Sequence, residues 1–302
     1  MRAAIAELPG SKIREVANAA LGRSDVLPFW FGESDEPTPA FIRDAAIHSL
    51  NDGETFYAHN LGLPELREAL SAYVSGLHGP VGPDRIAVTS SGVNALMLAM
   101  QALAGPGDEV VAVVPLWPNL TAQPAILGAR VRRVSLTVSG GAWQLDMERL
   151  LAAVTPTTTV LLLNAPNNPT GWTLTRAEQQ TILAHCRRTG TWIVADEVYE
   201  RVFFDGPIAA EPPQGGRTPP RGAGAAGDVA TPHGGMYAFF RIDGHDDSLA
   251  LAKRLVTEAG LGLAPGAAFG IEAEGWLRWC FASHDPARLS LGVERLRRFL
   301  GL

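Results

Sequence analysis

The sequence of 302 residues is poor in lysine and cysteine, and each scarcity excludes something. Only Lys12 and Lys253 are lysines among 25 basic residues, so any mechanism that needs a lysine has two candidates. Cys186 and Cys280 lie far apart, without a CxxC motif or clustered histidines. A disulfide framework and a zinc site are therefore not indicated, and we expect two packed thiols in a reducing compartment and no bound metal.

Long apolar runs and basic runs are also missing. No stretch reaches the ~18 apolar residues that a membrane-spanning helix needs, and residues 1–23 lack the continuous apolar core of a signal peptide. The formal net charge is −6. Because nucleic-acid-binding proteins usually carry a basic patch, nucleic acid is not expected as a partner. These observations predict a cytoplasmic protein.

What the chain does contain is an alternation of strand and helix patterns. Helices are predicted after Thr38 and at Pro64, and Thr175 with Glu178 matches a capping box at the start of a third. Strands alternating with helices favour a mainly parallel sheet covered on both faces, the α/β class. The predicted strands of this sheet are 86–89, 109–114, 131–136, 159–164 and 191–195.

A segment rich in glycine and proline divides the chain. Almost half of residues 206–235 are Gly or Pro and none is Phe, Trp or Tyr, a composition that buries too little apolar surface to offset the entropy of ordering. We expect a linker without regular structure. It separates a large domain, 45–205, from a smaller α+β domain made of 10–44 and 236–302, with predicted strands at 236–242 and 276–282.

Short polar motifs follow the predicted strands, where open α/β sheets bind ligands. Ser91, Gly92 and Val93 open a helix, whose backbone N–H groups and positive end attract phosphate. Trp117 lies between two prolines after the next strand and offers a flat ring, although each of these two motifs alone is weak. A turn rich in Asn and Pro at 164–171 is far more specific, because it fixes many backbone angles.

The predicted strand at 191–195 is followed directly by Asp196, Glu197, Val198 and Tyr199. A carboxylate at the end of a buried strand is costly unless a charged or donor group pairs with it. The N–H⁺ of a ring would be such a partner for Asp196.

With these motifs in register, the chain resembles the class I aminotransferases of pyridoxal-phosphate (PLP) fold type I, over nearly all of 10–205 and 232–302. The resemblance implies PLP as cofactor and amino-group transfer between an amino acid and a 2-oxo acid. It implies that Ser91, Gly92 and Val93 form a phosphate cup and that the Trp117 ring stacks on the pyridine. Asn168 and Tyr199 would donate to the phenolic oxygen of the cofactor, and Asp196 would pair with its pyridine nitrogen.

The resemblance also implies a homodimer and a carboxylate site. Tyr57 resembles the tyrosine that reaches the phosphate of the neighbouring subunit. Gly32 resembles the backbone contact to the substrate carboxylate, and Arg278 the arginine that holds it. An arginine suits that role because its planar fork pairs with both carboxylate oxygens.

The chain departs from the family after the strand that carries Asp196. Family members continue into two further strands that bear a Ser-x-x-Lys motif and a Gly-Trp-Arg motif, whereas this chain runs through the Gly/Pro segment directly to His233. The resemblance therefore implies an internal deletion of about 100 residues. With them would go the Schiff-base lysine and an arginine that contacts the phosphate. Neither Lys12 nor Lys253 is placed to substitute.

The deletion would also open the sheet, because the two lost strands lie between 86–89 and the strand before Asp196. Either those flanking strands close up or the domain folds poorly. Three functions stay open: an aminotransferase with impaired turnover, a non-catalytic chain that is inactive or lends Tyr57 to an intact relative, and a PLP-dependent lyase. A dehydrogenase is disfavoured because no GxGxxG motif follows the first strand.

Overall fold

A computed structural model describes residues 1–204 and 229–302. Within these ranges, every helix is too short or too polar to cross a bilayer. The helices are α1 (Ala3–Ala6), α2 (Lys12–Ala19), α3 (Ala40–Asn51), α4 (Pro64–His78), α5 (Gly92–Leu103), α6 (Pro118–Leu127), α7 (Met147–Ala153), α8 (Arg176–Thr189), α9 (Ser248–Ala259) and α10 (Pro286–Phe299).

The strands form two four-stranded sheets and two strand pairs. A parallel sheet has the order β3-β2-β6-β7 and an antiparallel sheet the order β11-β12-β9-β8, while β1 pairs with β10 and β4 with β5. The strands are β1 (Leu27–Pro28), β2 (Glu109–Val114), β3 (Arg130–Ser135), β4 (Thr137–Ser139), β5 (Ala142–Gln144), β6 (Thr158–Asn164), β7 (Trp192–Asp196), β8 (Val229–Ala230), β9 (Tyr237–Arg241), β10 (Leu261–Gly262), β11 (Ala264–Pro265) and β12 (Trp276–Cys280).

The parallel sheet is built around its two most apolar strands. All six residues of β2 are buried, and all but one of the seven in β6. Helices cover strands on both faces in such a sheet, which explains continuous rather than alternating apolar sequence. The predicted helix starts at Pro64 and Thr175 are confirmed, and the latter has both hydrogen bonds of the capping box. The carboxyl ends of β6 and β7 come together through the pairing of Asn164 with Asp196.

The prediction of a fifth parallel strand at 86–89 is wrong, because these residues have no strand pairing in the described structure. Their backbone is engaged elsewhere: Val88 N donates to Leu61 O at 2.9 Å, and Arg67 Nε donates to Ile86 O at 2.9 Å. An extended segment becomes a strand only when a neighbour supplies ladder hydrogen bonds. The segments on either side of the predicted gap have therefore not closed up by pairing, and β7 is an edge strand.

The antiparallel sheet lies against α2, α9 and α10. Here the expectation that 206–235 has no regular structure is wrong at its end, because Val229 and Ala230 pair with Phe240 and Phe239 of β9. Ala230 is 1% exposed, so a mean composition over thirty residues concealed a buried strand residue. The rest of that expectation, 206–228, lies outside the described residues. The division into a large and a small domain remains a prediction.

Candidate functional site

The site is centred on Arg278, in the middle of β12, where all five residues are buried. Arg278 is 2% exposed. Its Nη1 donates to Asn168 Oδ1 at 2.9 Å and its Nη2 donates to the carbonyl oxygen of Trp30. Among the described residues its Nε has no hydrogen-bond partner. Burial lowers the pKa of Arg278 below its usual range.

Two aromatic rings enclose the guanidinium. The Arg278 Cζ atom lies 4.4 Å from the centroid of the Tyr237 ring and 4.8 Å from that of Phe269. Cation–π contacts of this kind gain strength where water is excluded. The result is a cationic fork that no carboxylate of residues 1–204 or 229–302 holds in place, and its Nε atom has no partner there.

The turn at 164–171 ties Asn168 to the edge of the parallel sheet. Asn164 Oδ1 accepts a hydrogen bond from Asn168 N at 2.8 Å, and Asn164 Nδ2 donates to Asp196 O at 3.0 Å. The buried side chain of Asn164 therefore ties the ends of β6 and β7 together and also holds Asn168, whose own amide contacts Arg278. The prediction that this turn is rigidly placed at the sheet edge agrees with these bonds.

Asp196 and Tyr199 lie on the same edge. Asp196 Oδ1 accepts from Val198 N at 3.3 Å, and burial raises the pKa of this carboxyl group. The Tyr199 hydroxyl lies 2.6 Å from the Tyr237 hydroxyl. Burial also raises the pKa of Tyr199, although its hydrogen bond with Tyr237 and the charge of Arg278 act in the opposite direction. Tyr199 is thus a neutral phenol near neutral pH.

The hydrogen bonds of the predicted phosphate cup link it to α5 and α6 rather than to the group around Arg278. Ser91 is the N-cap of α5, and its Oγ accepts from Asn94 N at 3.2 Å. Val93 O accepts from Gln123 Nε2 of α6 at 3.0 Å. Around Gly92, a Cβ atom would meet nothing within 4 Å. The turn is therefore open and correctly capped, but these contacts do not join it to Arg278.

Trp117 adjoins the group around Arg278, whereas Tyr57 is exposed to solvent. Trp117 is the N-cap of α6, and its neighbour Leu116 donates a backbone hydrogen bond to Phe269 O at 3.4 Å. The Trp117 turn thus adjoins one of the rings that enclose Arg278. Tyr57 is fully exposed, at 107% of its reference area, as a residue that reached into another subunit would be.

Gly32 and Tyr237 meet beside Arg278. A Cβ atom on Gly32 would lie 2.0 Å from the Tyr237 hydroxyl oxygen, so only glycine fits there. Tyr237 was missed by the sequence reasoning. Residues that face each other across antiparallel strands share a face, and Phe239 faces Arg278 while Tyr237 faces Cys280. Alternation along β9 could have placed Tyr237 beside the arginine, had its pairing with β12 been known.

Both lysines belong to helices beside the antiparallel sheet. Lys253 of α9 forms an ion pair with Glu15 of α2, and Lys12 is the first residue of α2. Neither amine is in the group around Arg278. That no lysine of this chain takes the covalent role remains a prediction.

A separate polar cluster lies at the end of α4. The side chains of His78, Glu197 and Glu200 bring their ligand atoms within 4.8 Å of one another. His78 Nε2 and Glu200 Oε2 are 2.9 Å apart, and Glu200 Oε1 accepts from the Tyr73 hydroxyl at 3.1 Å. These bonds hold α4 against the turn that follows β7.

Comparison with known proteins shows which family the sequence matches and which proteins it resembles. The model of the family "Aminotransferase class I and II" matches residues 24–218 and 225–296. An aspartate/prephenate aminotransferase of Thermus thermophilus is 34% identical over 183 residues, which are 60% of this chain and 47% of that protein. An arginine–pyruvate transaminase of Pseudomonas aeruginosa is 34% identical over 60% of this chain and 46% of its own length. The chain spans about half the length of the curated relatives it matches.

Solved structures share the fold at lower identity. An aspartate aminotransferase of Thermotoga maritima superposes with a TM-score of 0.86 at 24% identity, covering 100% of both chains. An N-succinyldiaminopimelate aminotransferase of Mycobacterium tuberculosis superposes with a TM-score of 0.85 at 20% identity, covering 98% of this chain and 99% of that one. The predicted fold class, α/β of PLP fold type I, is thereby confirmed. The internal deletion remains a prediction.

Proposed function

We propose that this chain, which belongs to the aminotransferase class I and II family, binds PLP without a covalent link. Members of that family depend on PLP. We further propose that it supports amino-group transfer between an amino acid and a 2-oxo acid only slowly. The observation that carries this proposal is the buried, carboxylate-free Arg278 beside Asn168, Tyr199 and the end of β7.

The donor set fits the ring of PLP. Burial raises the pKa of Asp196, and none of the described residues pairs with it as a cation, so a protonated ring nitrogen would supply the missing partner. Asn168 and Tyr199 offer an amide and a phenol to a ring oxygen. Trp117 would stack on the ring, and at the phosphate end we assign Ser91, Gly92, Val93 and the partner subunit's Tyr57. When bound, PLP supplies an electron sink for charge that develops on the substrate.

Arg278 would hold the substrate carboxylate. Its Nε donor has no partner among the described residues, and Asn168 and Trp30 use only two of the five N–H groups, so a carboxylate can take Nε and a second N–H of the same guanidinium. A carboxylate would bind there through charge-assisted hydrogen bonds, which are stronger than those to the two neutral acceptors. The backbone of Gly32 lines the same space.

Proton transfer is the step that this chain serves poorly. Tyr199 keeps its proton near neutral pH because burial raises its pKa, so it donates rather than abstracts. Lys253 is engaged by Glu15 on another part of the molecule. A positioned general base typically contributes about 10²–10⁴ in rate, and this chain would lack that contribution.

We also propose a homodimer. The helix α3 has no buried residue, and apolar side chains of the 41–63 region project into solvent. Those more than half exposed are Phe41, Ile47, Leu50, Phe56, Tyr57 and Leu63. Apolar surface of this extent on one region is typical of a protein–protein interface, and a second copy placed there would cover Tyr57.

The test uses the full chain purified free of host transaminases. PLP is added, its absorbance is followed, and borohydride is used to trap any covalent adduct. We expect saturable binding, no trapped chromophore, and loss of binding in Asp196→Ala but not in the control Asp243→Ala, an exposed residue in the turn between β9 and α9.

Turnover is assayed with several amino acids and 2-oxoglutarate. Rates in the ordinary range of about 1–10³ s⁻¹, surviving Lys12→Ala and Lys253→Ala, would contradict the proposed impairment. Absence of PLP binding in the wild-type chain would contradict the cofactor assignment.

A further inference from the structure

Tyr237 contacts several residues of the site, although the proposed function gives it no role. It is 1% exposed. Its ring supports the Arg278 guanidinium at 4.4 Å and meets the Tyr199 ring edge-on, with centroids 5.6 Å apart and planes at 88°. Its hydroxyl lies 2.6 Å from the Tyr199 hydroxyl. One side chain therefore touches both the expected carboxylate-binding group and the expected ring-facing phenol.

Space for the Tyr237 hydroxyl exists only because residue 32 is glycine. A Cβ atom at that position would lie 2.0 Å from the hydroxyl oxygen, 3.1 Å from Cζ and 3.4 Å from Cε1. The first distance is impossible, while the other two are tight. The conflict therefore depends mainly on the hydroxyl group rather than on the ring.

The hydrogen bond between the two hydroxyls can run in either direction. Each hydroxyl can donate one hydrogen bond and accept others, and burial raises the pKa of both phenols, so both keep their protons. When Tyr237 donates to Tyr199, the Tyr199 proton is free to point at a ligand oxygen. When Tyr237 is absent, nothing in this contact orients that proton.

We propose that Tyr237 is a positioning residue of the site: its hydroxyl orients the Tyr199 hydroxyl toward the cofactor, and its ring holds Arg278 in place for a carboxylate. This inference rests on the proposed function for the identity of the two ligands. The contacts themselves do not depend on it. Two separable effects follow, one for each part of the Tyr237 side chain.

The first experiment measures thermal unfolding of the chain without ligand in a double-mutant cycle. Gly32→Ala should lower the melting temperature in the presence of Tyr237, and most of that loss should be recovered in Gly32→Ala combined with Tyr237→Phe. Equal losses in the two backgrounds would overturn the steric pairing. This measurement needs no cofactor.

The second experiment measures binding of PLP by absorbance and of 2-oxoglutarate by calorimetry. Tyr237→Phe keeps the ring and should weaken binding of PLP about 5-fold with binding of 2-oxoglutarate little changed, since a neutral hydrogen bond of about 1 kcal/mol corresponds to roughly that factor. Tyr237→Leu removes both parts and should weaken both ligands. Tyr73→Phe is the control, because that hydroxyl contacts Glu200 away from Arg278.

The outcomes separate the two proposals. If the wild-type chain binds both probes and the Phe and Leu variants bind them equally well, Tyr237 has no positioning role and the proposed function stands. If both variants lose both ligands to the same extent, the residue is structural only. If the wild-type chain binds neither probe, the proposed function fails and the ligand role of Tyr237 fails with it, while the thermal cycle still decides the Gly32 pairing.

Discussion

Two strands of five residues each carry a charged residue of the candidate site, and they differ sharply in burial. Every residue of β12, which carries Arg278, is buried, whereas in β7, which ends in Asp196, only Val194 is buried. Both sequences are largely apolar. The difference comes from neighbours, because within 1–204 and 229–302 β12 pairs with β11 and β9 while β7 pairs only with β6.

The comparison teaches that one side of the site is preorganised and the other is left at a sheet edge. Arg278 is fixed by two aromatic rings and two hydrogen bonds before any ligand arrives. Asp196 stands at the end of an edge strand whose first residue, Trp192, is 63% exposed. Edge strands with apolar residues are prone to pair with other chains.

The largest expected effect compares core truncations in the two strands. Leu277→Ala in β12 should lower the free energy of unfolding by about 2–5 kcal/mol, because it empties a fully buried position. Ile193→Ala in β7 should cost less than half as much, since Ile193 is only partly buried. Chemical denaturation with matched slopes checks both values. Equal costs would show that β7 is supported as well as β12.

A second prediction concerns the ionisation of Asp196. Burial raises the pKa of Asp196, so its contribution to stability is present below the unfolded pKa of about 3.9 and is lost as pH rises through the folded value. Asp196→Asn cannot ionise and should therefore melt at a higher temperature than wild type at pH 8, with the gain disappearing near pH 4. Thermal melts across this range measure it.

PLP should reverse that order at pH 8, because a bound ring cation would stabilise only the carboxylate. Asp52→Asn, at an exposed position of the chain, serves as the control for the loss of a carboxylate. A variant less stable than wild type at pH 8 without ligand would mean that Asp196 already has a partner.

The edge itself gives a third prediction. Trp192→Thr should reduce self-association at high protein concentration, measured by light scattering, while changing the free energy of unfolding by no more than about 0.5 kcal/mol. Leu21→Thr, which removes an apolar side chain 85% exposed on a different part of the chain, should leave association unchanged. The same reduction in both variants would point to general surface apolarity rather than to the β7 edge.

The smallest effect is expected beside β12. Asp35 accepts hydrogen bonds from the Ser283 hydroxyl, from the backbone and ring of His284, and from Arg288. Although burial alone would raise it, these bonds hold the pKa of Asp35 well below its usual range. The Asp35 hydrogen bond in turn raises the pKa of His284, with Glu36 and Asp285 acting in the same direction.

The two shifts predict a window of pH. The Asp35 contribution is present above about pH 4 and lost as pH falls further, and the His284 contribution is present below about pH 6.5 and lost as pH rises through its raised value. His284→Asn should flatten the alkaline side of a plot of melting temperature against pH, and His48→Asn serves as the control for the loss of an exposed histidine. An unchanged alkaline side in His284→Asn would contradict the assignment.

Local patterns in the sequence predicted local structure well. The capping box at Thr175 and the helix start at Pro64 are confirmed, because both depend on residues within one turn. The strand at 86–89 was predicted wrongly because ladder partners lie elsewhere in the chain. Tyr237 was missed for a related reason, since its contact with Arg278 follows from the pairing of β9 with β12.

The candidate site divides in the same way. The turn at 164–171 and the carboxylate at the end of β7 could be singled out as candidates from composition and position, and the group around Arg278 brings Asn168 and Tyr199 together. The bonds from Asn164 that hold Asn168 and Asp196 could not be predicted, because they depend on the parallel register of β6 and β7. The cofactor roles of Ser91, Trp117 and Tyr57 remain predictions.

The chain on either side of residues 205–228 is held together by its own backbone. Phe203 bridges to Gly234, Phe204 N donates to His233 O at 3.1 Å, and Gly235 N donates to Val202 O at 2.8 Å. The turn that follows β7 and the segment that leads into β9 are therefore joined directly by main-chain atoms, and this seam couples the edge of the parallel sheet to the antiparallel sheet.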